Sequence, residues 1–337
     1  MSPVCPYRVE KEETTMRKVL LAAVCAILFS AVSAYAVELK LGHIYETAHP
    51  WHIGMIEAAK IIKDRTNGRV NITVFPSGTL GTEQELMEQA ITGGLDIAES
   101  GAGQLANVYE VMTLTEMPYI FRDNAHVMQF VKSAKFQEIK KDFHEEHGAY
   151  IVGSSTWGIR HIIGNKAIRT PADLKDFKLR VPDQRITVGY AKAMGANPTP
   201  IAYSEAYLAL QQNAVDGLEN PLVSIQSMKF YEVARTLSLT AHVTNIVHLV
   251  MNGDSYDALS KEDQKILEEG MAEGCEIIYR LMDESDKNLV QFFKDQGLTV
   301  VEADRAAFGE VTKGMVQEYA ANWEKFGDLA AYIKELK

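Results

Sequence analysis

The sequence predicts an α/β protein folded as two lobes. Strand-like and helix-like segments alternate along most of the chain, which is the pattern of an α/β layer architecture. Setting aside the first 36 of 337 residues as an expected leader leaves 301, enough for two lobes with their own cores. One helical segment near the C-terminus is also too long for a single lobe of that size.

The leader is read from residues 16 to 36. Met16 is followed by Arg17 and Lys18, an uncharged stretch from Val19 to Val32, and then Ala34-Tyr35-Ala36. A basic start, an apolar middle and an A-x-A site describe a secretory signal peptide, so cleavage after Ala36 and export to the periplasm are expected. The apolar stretch is shorter than the roughly 18 to 20 residues a membrane-spanning helix needs. Ala22-Ala23-Val24 before Cys25 make a poor lipoprotein signal. Residues 1 to 15, with Glu10, Lys11, Glu12 and Glu13, fit neither a leader nor a packed core, which makes Met16 the candidate start. Only Cys275 follows the cleavage site, so no internal disulfide is expected.

After the leader, ELKLGHIY (38 to 45) is strand-like, and Pro50 to Thr66 has apolar residues at helical spacing, ended by Asn67-Gly68. VNITVF (70 to 75) is the next strand, and Thr82 with Glu85 three residues on opens a helix as a capping box. LDIAES, AYIVGSS, FKLRV, VDGLE and NIVHLVM continue the strand series, with helical stretches between several of them. No internal repeat or evident linker separates the lobes, so crossing strands should join them. The segment from the Ser260 cap to about Gln296 stays helical in pattern, which at 1.5 Å per residue is roughly 55 Å. A lobe of about 150 residues is only about 40 Å across, so this helix should run along both, with Gly270 and Gly274 expected to bend it. The boundaries expected are 37–157 with 245–283 for one lobe, and 158–244 with 284–337 for the other.

The whole chain carries a formal charge of −11. The leader segment has four Lys or Arg against three Glu, so the mature chain is close to −12. That excludes nucleic acid and anionic lipid as natural partners. The common catalytic signatures G-x-S-x-G, H-E-x-x-H and G-x-x-x-x-G-K-[ST] are absent from the sequence. His144-Glu145-Glu146-His147 reads as a solvated helix end. His43, His49 and His52 read as a helix start and core packing before a metal site. GAGQLA (101 to 106) is a weak dinucleotide fingerprint with two of its glycines, and a helix start lining a cleft explains it equally.

What remains is a set of polar residues where strands end. Arg180 lies in KLRVP between Leu179 and Val181, where a buried strand would take another apolar residue, and a guanidinium there needs an anion or carbonyl partner. Arg160 follows Trp157-Gly158, and Asn220 precedes Pro221 in DGLENP. Two guanidiniums and an amide facing one cleft would make a carboxylate receptor, because the planar fork gives paired hydrogen bonds and the amide adds a donor.

The run LRVPDQRITVGYAKAMGANPTPIAYSEAYLALQQNAVDGLENP, with KFYEVARTL and TAHVTN after it and FPSGTLGTEQEL, GGLDIAE and EMPYIF before it, resembles the DctP-type solute-binding proteins of TRAP (tripartite ATP-independent periplasmic) transporters. The resemblance implies a two-lobed, periplasmic-binding-protein-like (type II-like) fold that closes on its solute. It also implies delivery of a small organic acid, such as a sugar acid or another hydroxy or oxo acid, to integral-membrane transporter subunits. By that resemblance Arg180 anchors the ligand carboxylate, Arg160 is a second cleft arginine, Asn220 helps hold the carboxylate and Tyr203 closes over the ligand. Trp157 is a candidate ring-stacking residue, as are Tyr203 and Trp51. Glu83 and His242, within the matching segments, complete the expected set. The chain departs from the sialic-acid subgroup at Gly101, five residues after Asp96, where that subgroup has an acid, and at Asp183, where it has Asn; both argue against sialic acid. No cofactor, metal or catalytic residue is expected, and the receptor should be a monomer. Two other readings stay open: a binding protein that reports to a sensor kinase, and a secreted enzyme on the same scaffold.

Overall fold

Local rules account for most element boundaries. The computed structural model describes residues 36–336; the expected leader, apart from Ala36, and the candidate start at Met16 fall outside it. Strand β1 (Val37–Gly42) is followed by helix α1 (Pro50–Arg65), whose first turn begins at a proline and is capped by His49, accepting a hydrogen bond from Trp51 N–H. After β2 (Val70–Phe75), helix α2 (Glu83–Thr92) starts at the Thr82/Glu85 capping box read from the sequence and stops at Gly93 with φ 86°. Next come β3 (Ile97–Gly101), helix α3 (Asn124–Val131) and β4 (Tyr150–Gly164). Then β5 (Lys178–Val181), β6 (Asn197–Pro200) and β7 (Gly217–Pro221) lead to helix α4 (Leu222–Ser227). Last are β8 (Thr236–Met251), helix α5 (Lys261–Asp295) and β9 (Thr299–Glu302).

The strands follow the order β2-β1-β3-β8-β4-β7-β5-β6, with β9 also paired to β8. β6, which carries Pro198 and Pro200, sits at the edge, where a missing N–H does no harm. Strands β4 and β8, of 15 and 16 residues, are far longer than the segments read from the sequence and pair antiparallel along their length. They serve two groups of strands. β3 pairs with residues 247–251 of β8, while β7 pairs with residues 160–164 of β4 and β9 with residues 236–239 of β8. Between these attachments the two long strands have only each other. There the ladder shifts register between Thr156 and Gly158, and Gly158 has φ 97°, a conformation that favours glycine.

Helix α5 is the other element common to both groups. Its 35 residues are capped by Ser260, which accepts from Asp263 N–H, and at 1.5 Å per residue it is about 52 Å long. It packs on α1, β4, α3, α4 and β9. Its glycines have a packing role where the sequence suggested a bend. A Cβ on Gly274 would sit 2.7 Å from Ala58 Cβ and 2.8 Å from Gly54 O, and one on Gly270 would strike Ile62. With Gly54 on the facing helix, they let α1 and α5 approach closely.

Candidate functional site

The cleft of about 490 Å³ is built from the carboxyl ends of the strands and the helix starts beyond them. Ile44 lies beyond β1, Ser77 and Gly78 beyond β2, and Thr82 and Glu83 begin α2. Facing them, Arg180 lies next to the end of β5, Pro182 to Gln184 follow that strand, and Pro200 ends β6 with Ile201 to Glu205 after it. Trp157, on the stretch of β4 shared by both strand groups, forms part of the wall. Ligands of open α/β sheets collect at such strand ends, because loops there supply convergent side chains and free helix N–H groups.

Arg180 is 1% exposed, between Leu179 and Val181. Its Nε and Nη2 donate to the same acceptor, Ile201 O, at 2.9 and 2.6 Å. Its Nη1 is buried without a partner, and among the described residues no carboxylate lies within 4 Å of it. Burial therefore pulls its pKa down to about 10, with the more distant Glu219 acting the other way. Trp157 Nε1 and the Tyr203 hydroxyl, also on the cleft wall, are buried without hydrogen-bond partners.

Arg160 lies behind this wall and is not free. Its guanidinium makes a two-pronged ion pair with the Glu219 carboxylate, donates to Glu219 O at 2.9 Å and gives Nη1 to Asn245 Oδ1 at 2.9 Å. It stacks 5.1 Å from the centroid of Trp157, holding that ring from behind. His242 completes the layer, with Nε2 3.3 Å from Glu219 Oε2 and Nδ1 2.8 Å from Thr240 Oγ1. Burial raises the Glu219 carboxyl, but Arg160 and His242 outweigh it and hold it at about 2. Burial also lowers the His242 pKa.

Asn220, adjacent to Glu219 in β7, is likewise off the cleft wall; it is 0% exposed and neither amide atom has a partner. An amide buried this way costs roughly 1 to 3 kcal/mol per unmet group unless water or a ligand reaches it. Glu83 Oε1 accepts from Gly101 N–H at 2.6 Å, and burial raises its pKa. Glu99 lies close enough to act on Tyr45 together with Glu83; the Tyr45 hydroxyl donates to Glu99 Oε1 at 2.5 Å, and burial pushes the Glu99 pKa well above the carboxylate range.

Of the seven expected residues, the structure brings Arg180, Tyr203, Trp157 and Glu83 to one cleft, puts Arg160 and His242 in the buried polar layer around Glu219, and leaves Asn220 buried in β7 without a hydrogen-bond partner. Trp51 is core, 0% exposed, its Nε1 donating to Thr156 O at 3.3 Å. The sequence did not single out Gln104, Gln184, Ser204 or Glu205, which also line the cleft. Gln104 stood in plain view in GAGQLA as part of a short helix beyond a strand; Gln184 sits at a helix start, and Ser204 and Glu205 lie in a single 3-10 turn too short to show periodicity.

This arrangement has known counterparts. The family model described as bacterial extracellular solute-binding protein, family 7 (DctP) matches residues 41–322. The sialic acid-binding periplasmic protein of Vibrio cholerae is 29% identical, aligned over 91% of this chain and 96% of its own. The 2,3-diketo-L-gulonate-binding periplasmic protein of Escherichia coli is 30% identical over 92% of this chain and 95% of its own. A solved TRAP periplasmic solute-binding protein from Xanthobacter autotrophicus, with bound β-D-galacturonate, superposes with a TM-score of 0.85 at 26% identity, covering 89% of this chain and all of that one. The fold is the two-lobed one of these receptors, among the described residues no helix is long and apolar enough to cross a membrane, and proteins of this kind bind solutes rather than transform them. Its strand-end cleft, its shared long strands and its match over most of its length place the chain in the DctP family of TRAP-transporter solute-binding proteins.

Proposed function

We propose that this protein binds a sugar acid, or a hydroxy or oxo acid of similar size, by its carboxylate and hands it to the membrane subunits of a TRAP transporter. The observation that carries this is Arg180: a buried guanidinium on the cleft wall with one nitrogen unmet and, among the described residues, no carboxylate within 4 Å. A ligand carboxylate is the group whose charge and geometry complete it. Asn220 supports the reading, since its unmet amide lies on β7, the strand that pairs beside Arg180 on β5.

The rest of the wall suits a hydroxylated body. Glu83, Gln104, Gln184, Ser204 and Glu205 offer acceptors for hydroxyl groups, and Trp157 and Tyr203 offer flat faces with an N–H and an O–H to spare. Arg160 acts through Trp157 and through Glu219 rather than as a free second anchor. The relatives named for sialic acid, diketogulonate and galacturonate all take carboxylates. Residues 37–157 with 245–283, and 158–244 with 284–337, would be the bodies that close on the ligand, the signal peptide having been removed after Ala36.

A thermal-shift panel tests the proposal, with D-galacturonate, D-glucuronate, L-gulonate and sialic acid set against D-galactose and the methyl ester of galacturonate. A ligand at about 100 times its Kd adds roughly 2.7 kcal/mol of stability, so at least one free acid should raise Tm clearly while galactose and the ester do not. Equal stabilisation by galactose would remove the carboxylate from the argument.

A further inference from the structure

The register shift of the shared strands lies against a carboxylate on the long helix. Asp286, in the last third of α5, accepts a hydrogen bond on Oδ2 from Asn124 Nδ2 at 2.8 Å. Asn124 Oδ1 accepts from the Thr156 hydroxyl at 2.6 Å, and Thr156 Oγ1 in turn accepts from Gly158 N–H at 3.0 Å. This relay runs from α5 through the first residue of α3 to the peptide of β4 at which the ladder changes register. The other oxygen, Oδ1, is shielded from water without a hydrogen-bond partner, and a Cβ built on Gly158 would lie 3.6 Å from it. It therefore looks onto the backbone of the bulge itself.

We propose that Asp286 is a positioning residue for closure: it latches α5 to the Thr156–Gly158 bulge of β4 and thereby sets the angle between the two halves of the sheet. The proposal rests on the reading that these halves close on a ligand, but the latch exists without one. An ionised carboxylate accepts from Asn124 and attracts the backbone N–H groups beyond Gly158 at once. A proton on it would leave a hydroxyl facing those N–H groups. The charged state is accordingly the locked one, and the site is tuned so that the lock responds to acid. Burial raises the Asp286 pKa to about 6, Asn124 and the Ile159 N–H working against it and Asp283, one turn earlier in the helix, adding to it. From the other elements packed here, β4 presents Thr156 and its backbone, and α3 presents Asn124, all neutral; Asp123, beside Asn124, turns away to accept from His126 N–H. Asp286 is not among the residues that line the cleft, so on this proposal it acts on binding through the hinge.

Amide hydrogen exchange on the unliganded protein tests this, with Asp286→Asn as the near-isosteric variant and Asp286→Ala as the deletion. Exchange at residues 156–160 should rise about tenfold or more in Asp286→Asn while residues 247–251 at the far end of β8 keep their protection. In the unsubstituted protein the same amides should lose protection between pH 7 and 5, after correction for intrinsic exchange, and the Asn variant should show no such step. A structural role alone predicts something else: in both variants exchange rises evenly along the two strands in proportion to lost global stability, with no local pH step. That result, or unchanged exchange at 156–160, overturns the proposal. Because no ligand enters the assay, a failure of every sugar acid to bind would leave its outcome intact.

Discussion

Replacing Arg180 by Ala separates binding from folding. In the unliganded protein the guanidinium is charged at pH 7 in both the folded and unfolded states, and burial pulls its folded pKa from 12.5 to about 10. At about 1.4 kcal/mol per pH unit, that is about 3 kcal/mol of destabilisation. Its two hydrogen bonds to Ile201 O work the other way, each worth roughly 1.5 to 3 kcal/mol when the donor is charged. Truncation removes both, and it strands no carboxylate among the described residues, so Arg180→Ala should cost between nothing and about 3 kcal/mol of folding stability. Affinity is another matter. Removing one side of a desolvated charge pair costs about 2 to 5 kcal/mol, a Kd increase of roughly 30-fold to several thousand-fold. Calorimetry with the acid that stabilises the protein most would measure it, with urea unfolding as the control. Arg180→Lys should recover part of the loss, because an ammonium cannot reproduce the fork. The methyl ester should bind the unsubstituted protein poorly and the Ala variant little worse. If the acid binds Arg180→Ala within about threefold of the unsubstituted protein, or if the variant unfolds, Arg180 is structural and the carboxylate reading fails.

Asn220→Leu should stabilise the unliganded protein by about 1 to 2 kcal/mol, since it removes two buried unmet amide atoms at nearly constant volume, and should abolish the Tm shift given by the acid; a urea midpoint below that of the unsubstituted protein would count against an empty amide there. Glu219→Gln breaks the buried pair with Arg160 and should cost about 3 to 5 kcal/mol. Because Glu219 is held at about 2, below its ordinary 4.5, its contribution is complete above pH 4.5 and is lost as pH falls toward 2. The stability gap between the two proteins should therefore narrow over that range, and a gap unchanged with pH would show that the charge is immaterial. Gly274→Val drives a side chain into Ala58 and Gly54 and should cost about 1 to 3 kcal/mol or more by overpacking. Gly314, with φ −68° and open space at its Cβ position, should accept Ala without loss; equal Tm values for the two variants would refute the close approach of α1 and α5.

The sequence by itself determined what depends on near neighbours. The Thr82/Glu85 capping box, the proline-led start of α1, the strand at 70–75 and the whole of α5 were legible because turn chemistry and periodicity act within a few residues. Arg180 was legible as a cation out of place, since its apolar neighbours and Pro182 adjoin it in the chain. The full lengths of β4 and β8 were not, because their middles carry Thr156, Gly158, Arg160, His242 and Asn245, residues that read as loop until a polar layer exists to satisfy them. Tertiary structure alone decided that Arg160 is paired with a carboxylate and that Arg180, among the described residues, is not. Glu219 lies 59 residues from Arg160, and no spacing rule connects them. It also decided that Gly270 and Gly274 serve a helix contact, because the surfaces they meet belong to α1, some 200 residues earlier. An amino acid's local conformation follows from its neighbours in sequence, but whether its charge finds a counterion follows from which strands the fold lays side by side.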